Sequence, residues 1–277
     1  MGLRLQKSEI STRMKSGKYS GILDPINAAQ NFQLRRYSPS TNLAAFVENY
    51  WIIHWDLHEH SPYTSKVLPY PSVNIAFTAK RAWITGVVTG TYDHQLSGKG
   101  IVVGVRFRPG GFHAFWPHHI SELTDRTKPV TELFEEADDA FCASVLSLEK
   151  DDPERVQLLE KLLRTRSPTP DPRIAFVNEV IEVVIADKDL RTTQALSKRF
   201  QLSERRLQQL FQEYVGVGLK WIIMRYRLQE VADRATQEVV NWTAIATELH
   251  YSDQSHLIND FKKITGKSPA EYARTLR

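Results

Sequence analysis

Two segments near the C-terminus repeat one plan, and this repeat constrains the fold more than any other feature: a short helix, a two-residue turn and a second, amphipathic helix. In the first segment the spacing predicts a helix over 192–200, a turn at 201–202 and a second helix capped by Ser203. A hydroxyl at the cap accepts an otherwise unbonded amide of the first turn. The apolar positions of the second helix are Leu207, Leu210, Phe211 and Tyr214. Their spacing of three and four residues predicts one buried face.

The second segment follows the same plan about fifty residues later. The spacing predicts a helix over 243–249, a turn at 250–251 and a second helix capped by Ser252 or Asp253. The apolar positions of this second helix are Leu257, Ile258, Phe261 and Ile264. The two segments together predict two helix-turn-helix units in tandem.

The polar faces of both second helices carry side chains that suit DNA. In the major groove, Arg can form two hydrogen bonds with guanine, and Gln or Asn can form two with adenine. The candidates for base contacts are Arg205, Gln208, Gln209, Gln212, Ser255, His256 and Asn259. Contacts with phosphates position a protein without reading sequence, and the candidates for them are Lys198, Arg199, Ser203, Lys262 and Lys263. Any solvent-exposed helix also has a polar face, so the DNA interpretation depends on the tandem repeat.

A long helix is predicted over 219–234, between the two units. Such a helix would hold both units at a fixed separation, so that their second helices enter successive major grooves about 34 Å apart. The net charge of +4 is small for 277 residues, so the position of the basic side chains matters more than their excess.

Three prolines within 168–172 mark a linker, because each proline fixes its own φ and disfavours helix in the residue before it. The length suits two domains. We therefore expect an N-terminal sensing or dimerisation domain over 1–165, a linker over 166–172 and a DNA-binding domain over 173–277. The pattern after the linker is helical throughout, whereas the pattern before it is mixed. The predicted fold class is α+β, with a β-rich, barrel-like first domain and an all-α second domain.

Within the first domain, β-branched and aromatic runs predict strands over 51–55, 72–77, 81–85 and 101–107, and helical spacing predicts helices over 42–49, 131–148 and 153–163. The strand over 101–107 alternates between two sets of residues. The apolar set is Ile101, Val103, Val105 and Phe107, and the other set is Val102, Gly104, Arg106 and Arg108. Alternation of this kind is typical of a strand with one buried face and one face toward solvent or a cavity. The two arginines can neutralise an anionic effector or be solvated, and we favour solvation slightly.

Aromatic side chains with a few polar groups are typical of ligand pockets. The candidates to line such a pocket are Trp51, Trp55, Trp83, Arg106, His113 and Trp116. The alternative is that these aromatic side chains form ordinary core, which is the commoner role of such residues in a β-rich domain.

Histidines suggest a metal site at two places, His54 with 58–60, and His113 with 118–119. No cysteine or further carboxylate stands at a helpful spacing, and metal sites need three or four converging ligands. We therefore predict no metal and no cofactor. Cys142 is the single cysteine, which excludes an intramolecular disulfide, and its apolar neighbours indicate a buried residue rather than a reactive thiol.

Several classes of protein lack support in the sequence. No apolar run is long enough for a membrane span, and no apolar segment follows the basic N-terminus as in a signal peptide, so we expect a cytoplasmic protein without membrane contact. An enzyme is disfavoured because no glycine-rich phosphate loop, nucleophile motif or placed carboxylate pair is present, and no catalytic residue is predicted.

The region 190–273 resembles the DNA-binding domain of AraC-type regulators, most specifically over 245–257 and 261–272. The resemblance implies seven helices and two major-groove readers, with base contacts at Arg205, Gln208 and Gln209 in the first unit. In the second unit the implied base contacts are Ser255, His256 and Asn259. The chain departs from the family at Gln201 and His250, where Gly is usual, and at Ser197, where Ala is usual.

The region 37–134 is similar to an N-terminal module of some of these regulators, above all at 105–111. The resemblance implies a β-rich sensing role. We therefore expect a transcription regulator, activator or repressor, that binds double-stranded promoter or operator DNA. Its candidate partners are a small-molecule effector, RNA polymerase and a second copy of the chain. The alternative is that the first domain only dimerises or binds a protein.

Overall fold

A computed structural model describes residues 21–58, 61–187, 189–235 and 240–276. Within these ranges, eight strands lie between one N-terminal helix and the helices of the second half. Their bounds are β1 Gln33–Tyr37, β2 Val47–Leu57, β3 Tyr63–Val67, β4 Asn74–Thr78, β5 Arg81–Thr85, β6 Tyr92–Leu96, β7 Gly98–Phe107 and β8 Thr127–Pro129. Six strands form one antiparallel sheet in the order β1-β2-β7-β4-β5-β8, and β3 pairs with β6 in a second, two-stranded sheet.

One helix precedes the strands in the sequence, and the other helices follow them. Their bounds are α1 Pro25–Asn31, α2 Asp139–Leu146, α3 Asp152–Arg164, α4 Pro172–Ala186, α5 Thr193–Phe200, α6 Glu204–Tyr214, α7 Leu219–Arg234, α8 Trp242–Glu248, α9 Gln254–Thr265 and α10 Pro269–Thr275. Short 3-10 turns occur at Gly111–Ala114, Ile120–Leu123 and Val130–Glu132. The expected α+β class is confirmed. In the described residues seven helices, α4 to α10, begin at or after Pro172, and α4 precedes the region 190–273 that carries the resemblance. No helix of the described residues is long and apolar enough to cross a membrane.

One face of the six-stranded sheet is the floor of the main core. Ile52 pairs with Val103, and Val105 pairs with Ile75, so that alternate side chains of β2, β7 and β4 point to the same side. All four are essentially without solvent exposure apart from 1% at Val105. In β7, Ile101, Val103, Val105 and Phe107 face this core as predicted, but Val102 and Gly104 on the other face are also buried, so the expected opening of that face to solvent or a cavity is wrong at these two positions. The removal of the inward side chains from water is the main stabilising contribution of this face.

The main core continues from the first half of the chain into the helices beyond the linker. The same apolar cluster contains Phe107 of β7, Val177 of α4 and Phe211 of α6. Hydrogen bonds also join the two halves, from the Asn178 side chain to the Pro109 carbonyl at 2.8 Å and from the Thr124 hydroxyl to the Gly216 carbonyl at 2.6 Å. The division into domains at 166–172 stays a prediction, but the two halves share packing across that segment.

A separate apolar cluster lies within the last third of the chain. It joins α7 to α8, α9 and α10 through side chains such as Leu228, Leu257 and Phe261. Leu23 and Leu68 from the first half belong to this cluster. The first half of the chain therefore packs against both helix-turn-helix units.

Some predictions for the first half are wrong. Residues 41–46 form turns, and strand β2 begins at Val47, where we expected a helix over 42–49. The apolar residues at helical spacing, Leu43, Phe46, Val47 and Tyr50, are all buried, but they reach the core from a turn and a strand. Their spacing therefore does not indicate a helix. Strands β1, β3, β6 and β8 were not predicted, because polar residues interrupt the first three and β8 has only three residues. Tyr92–Leu96, for instance, buries only Leu96.

Candidate nucleic-acid interface

The first helix-turn-helix unit consists of α5 and α6. The Ser203 hydroxyl accepts the Arg206 amide at 3.2 Å and starts α6, as predicted. The predicted apolar face of α6 is buried, with no residue of it more than 4% exposed. On the opposite face Arg205 and Gln209 are exposed, whereas Gln208 and Gln212 are half-buried.

The second unit consists of α8 and α9. Asp253, and not Ser252, caps α9, since its carboxylate accepts the His256 amide at 2.8 Å. Ser252 instead lies 3.1 Å from Nδ1 of His256. Leu257, Phe261 and Ile264 are buried and Ile258 is half-buried. The two units thus follow the same design.

The two turns share a strained backbone. Gln201 has a φ of +53° and His250 a φ of +58°, in the left-handed region that favours glycine. In each turn the next amide bonds five residues back, from Leu202 to the Ser197 carbonyl at 3.2 Å and from Tyr251 to the Ala246 carbonyl at 2.9 Å. These bonds are those of a Schellman helix ending. Gln201 and His250, which depart from the family pattern, therefore keep the turn at a cost in backbone energy.

Ser197, the third departure from the family pattern, contributes to the first turn. Its hydroxyl donates to the Leu202 carbonyl at 2.6 Å. A side-chain bond also joins the two helices of each unit, from Thr193 to Glu204 in the first and from Thr243 to Gln254 at 2.7 Å in the second. Sequence reasoning missed these bonds, although the spacing of eleven residues is the same in both.

Most of the predicted base-contacting side chains lie on the outer faces of α6 and α9. The exposed ones are Arg205, Gln209, Ser255, His256 and Asn259. Gln212 is half-buried. Gln208 departs from the expected outward orientation, since its Oε1 accepts the Leu219 amide at 3.2 Å at the start of α7. A Cβ at Gly218 would lie 2.1 Å from the Gln208 amide nitrogen, so the glycine makes room for this contact.

The candidates for phosphate contacts are all exposed. They are Lys198, Arg199, Ser203, Lys262 and Lys263. Each pair of basic residues lies in the last turn of its helix, α5 or α9. A cation there also interacts favourably with the helix dipole, so these side chains have a structural role beside any contact with DNA.

Other arginines hold the framework of α7. Arg227 donates to the Arg191 carbonyl at 2.7 Å, and Arg191 in turn donates to the Val184 carbonyl at 2.8 Å. Arg234 forms ion pairs with Glu230 and Glu248 and so joins α7 to the end of α8. Burial lowers the pKa of Arg191 and of Arg227. Part of the basic character of the region therefore stabilises the scaffold.

The first half of the chain and the proline-rich segment contact the C-terminal end of α6. The His113 ring stacks on the Tyr214 ring with 4.1 Å between centroids. The Tyr214 hydroxyl donates to Asp171 at 2.6 Å, within the proline-rich segment. Hydrogen bonds from Arg173 and from Tyr214 lower the pKa of Asp171 to about 2. These contacts fix the first unit against the β-rich half.

The predicted ligand-lining residues do not form one set. Trp51, Trp55, Trp83 and Arg106 project from the face of the sheet opposite the main core. Trp116, 8% exposed, packs in the main core against Phe112, and His113 lies at the contact with Tyr214. The prediction of one pocket is therefore wrong for Trp116 and His113. Arg106 is half-buried and lies over the Tyr70 ring, at 5.0 Å from its centroid, so the preference for a solvated Arg106 is also wrong.

The histidines do not gather into a metal centre in the part of the chain that the structure describes. His54 lies 3.4 Å from the carboxylate of Asp152, which also accepts hydrogen bonds from Tyr37 and Arg35. His118 and His119 are exposed. Residues 59–60 lie outside the described residues.

The geometry agrees with the family comparison. Residues 196–275 match the family model described as a helix-turn-helix domain. They form an AraC-type helix-turn-helix domain. A domain of this kind supports DNA binding and transcription regulation. Residues 35–129 match a second model, described as a domain of unknown function (DUF6597).

Other comparisons add little to the assignment of the AraC-type domain. No curated protein matches the chain. Among solved structures, ToxT from Vibrio cholerae O395 is 12% identical, with a TM-score of 0.37 and coverage of 89% of this chain and 98% of that chain. Unsaturated fatty acid-bound wild-type ToxT from Vibrio cholerae strain SCE256 is 12% identical, with a TM-score of 0.38 and coverage of 89% and 92%. This likeness is weak and says nothing about what the present chain binds.

Proposed function

We propose that the chain is a sequence-specific transcription regulator that reads the major groove with α6 and α9, and that a small molecule in the β-rich half modulates it. The observation that carries this proposal is the shared design of the two units. In each, a capped second helix buries its apolar face and leaves Arg, Gln, Ser or Asn side chains exposed. Exposed side chains of these types match the base edges of the major groove.

The framework supports the use of both units together. Helix α7 packs in the same apolar clusters as α6 and as α9, and the Arg234 ion pairs join it to α8. Because α7 joins α6 and α9, the two helices can enter successive major grooves on one face of DNA, about 34 Å apart. Both units contact the β-rich half, so a ligand bound in that half can change the relative positions of the two units.

The test is selection of duplexes from a random pool by the full chain, followed by fluorescence anisotropy over a range of salt concentrations. We expect a selected site with two half-sites about one helical turn apart, and an affinity that falls steeply with salt as counterions are released. A matched pair of charge variants, Lys262→Ala at the interface and Lys80→Ala in an exposed turn of the first half, should lower affinity only for Lys262→Ala. A pool that shows no enriched sequence, or equal effects of the two variants, would contradict the proposal.

A further inference from the structure

The face of the six-stranded sheet opposite the main core carries a polar row. The strand register places Asn49, Arg106, Asn74 and Thr85 side by side on β2, β7, β4 and β5. All four are half-buried. Side chains at directly opposed positions of neighbouring strands lie within reach of one another. The row therefore forms one polar surface across four strands.

An apolar row lies two residues further along the same strands. Its members are Trp51, Gly104, Ala76 and Trp83, in the same strand order. The Trp51 indole covers Gly104, since a Cβ there would be 2.2 Å from Cε2 of the ring. The position left between the two indoles is therefore Ala76, which is half-buried. Ala76 thus lies between two aromatic side chains beside the polar row.

Buried polar atoms without partners lie at the junction of the two rows. The Nε1 donor of Trp51, the Nε donor of Arg106 and the Oδ1 acceptor of Asn49 are removed from solvent and form no hydrogen bond in the described part of the chain. An unsatisfied buried polar group costs about 1–3 kcal/mol. Such groups in a native protein call for a partner. Two donors and one acceptor at neighbouring positions of β2 and β7, beside the apolar row, are of the kind that orient a ligand in a largely apolar site.

The charges at this junction favour an anion. The Tyr70 ring lies beneath the guanidinium of Arg106, at 5.0 Å, and of Arg225, at 5.5 Å. The nearby carboxyl of Glu48 accepts the Tyr70 hydroxyl at 3.4 Å, and burial raises its pKa, which favours its neutral form. Burial disfavours the charged forms of both Glu48 and Arg225, since it raises the pKa of the first and lowers the pKa of the second, so Arg106 is the half-buried guanidinium that an anion would meet.

From this arrangement we infer that the face binds a small molecule with a flat apolar body and one anionic group. The body lies between Trp51 and Trp83 over Ala76, and the anionic group accepts from Arg106 and Trp51. This inference deepens the proposed function and rests on it, because it names the chemical class of the modulating ligand.

The site also has a contact with the linker helix. Arg225 belongs to α7, is 4% exposed, and donates to the Pro69 carbonyl at 2.9 Å. Tyr70 lies against both Arg225 and Arg106. An anion bound to Arg106 would alter the electrostatic interaction of Arg106 with the Tyr70 ring. Because Tyr70 also contacts Arg225, this would alter the packing of α7, the helix between the two helix-turn-helix units.

The experiment uses the full chain and two dyes of similar shape. 8-Anilinonaphthalene-1-sulfonate supplies a flat body with one anionic group, and N-phenyl-1-naphthylamine supplies a similar body without charge. Fluorescence titration is made with wild type, Arg106→Gln, Ala76→Leu and Arg126→Gln, the last being an exposed arginine outside the site. Circular dichroism and thermal unfolding show that each variant is folded.

We expect saturable binding of the anionic dye to wild type with one site per chain. Arg106→Gln should weaken the anionic dye at least tenfold and leave the neutral dye within twofold, whereas Ala76→Leu should weaken both. Arg126→Gln should resemble wild type. Equal affinities of the anionic dye for wild type, Arg106→Gln and Arg126→Gln would overturn the inference.

DNA binding is measured on the same preparations, so that failure of the ligand site can be told apart from failure of the proposed function. A wild-type protein that selects DNA but binds the dye without dependence on Arg106 and Ala76 overturns the ligand site and leaves the regulator intact. A folded protein that selects no DNA overturns the proposed function, whatever the dyes show.

Discussion

Replacement of Gln201 or His250 by glycine should stabilise the protein, because both residues hold positive φ angles in the turns between the helices of each unit. A residue with a Cβ pays about 1–2 kcal/mol in the left-handed region. Glycine there avoids this cost but loses about 0.5–1 kcal/mol through the greater freedom of the unfolded chain. The net gain expected for each substitution is therefore about 0.5–1 kcal/mol in the free energy of unfolding.

The surroundings of the two turns support this estimate. Both side chains are exposed, so glycine removes no buried contact. The two turns also belong to different apolar clusters, the first to the main core and the second to the cluster around Leu257 and Phe261. Effects at separate sites without shared partners add. The double variant should therefore gain about 1–2 kcal/mol.

Urea unfolding followed by circular dichroism measures the change, with Gln201→Ala and His250→Ala as matched controls that keep the Cβ. The alanine variants should resemble wild type, since they retain the strained conformation. If glycine and alanine gave the same stability at both positions, or if glycine lowered it, the assignment of strain to these turns would be refuted.

Three further results are expected. Arg205→Ala should cost about 1–3 kcal/mol at one base position in a specificity profile, whereas Lys262→Ala should weaken all sequences alike and reduce the salt dependence. Tyr214→Phe should lower the free energy of unfolding by about 1.5–3 kcal/mol, because it removes a hydrogen bond to a carboxylate, as urea unfolding would show. The lowered pKa of Asp171 means that this carboxylate stabilises the fold above its ordinary pKa near 4, and that this contribution is lost as the pH falls toward 2. Asp171→Asn should therefore flatten the acid side of the stability profile.

Each of these has a result that would contradict it. Specificity profiles of Arg205→Ala and wild type that coincide would remove Arg205 from the base-reading set. A Tyr214→Phe variant as stable as wild type would show that the bond to Asp171 contributes nothing net. Parallel acid unfolding curves for Asp171→Asn and wild type would mean that other carboxylates dominate the acid transition.

Local signals in the sequence predicted much of the helical half. The cap at Ser203, the helix over 219–234 and the buried faces of α6 and α9 follow from hydrogen-bonding side chains and apolar spacing within a few residues. The inward-facing positions of β7 were readable for the same reason, although Val102 and Gly104 on its other face are buried too. Features that depend on neighbours in sequence were thus accessible without the structure.

Features that depend on distant partners were not accessible. Gln208 has the spacing of a DNA-facing residue, but the bare backbone at Gly218 admits its amide to the start of α7. His113 has the composition of a pocket residue, yet it stacks on Tyr214 from the other half of the chain. Arg106 alternates outward along its strand, and only the position of Tyr70 shows that it is covered. In each case the deciding contact joins segments that the sequence cannot place together.

The apolar cluster that spans Phe107, Val177 and Phe211 limits how this protein can be rebuilt. A chimera that joins its helix-turn-helix units to a foreign domain at the proline-rich segment would leave Val177 and the end of α6 against a surface of different shape. Such a hybrid should be poorly soluble unless it also keeps the 3-10 turns at Gly111–Ala114 and Ile120–Leu123. For the same reason, a structural change in the β-rich half can reach the helix-turn-helix units through packed side chains, without a flexible linker between them.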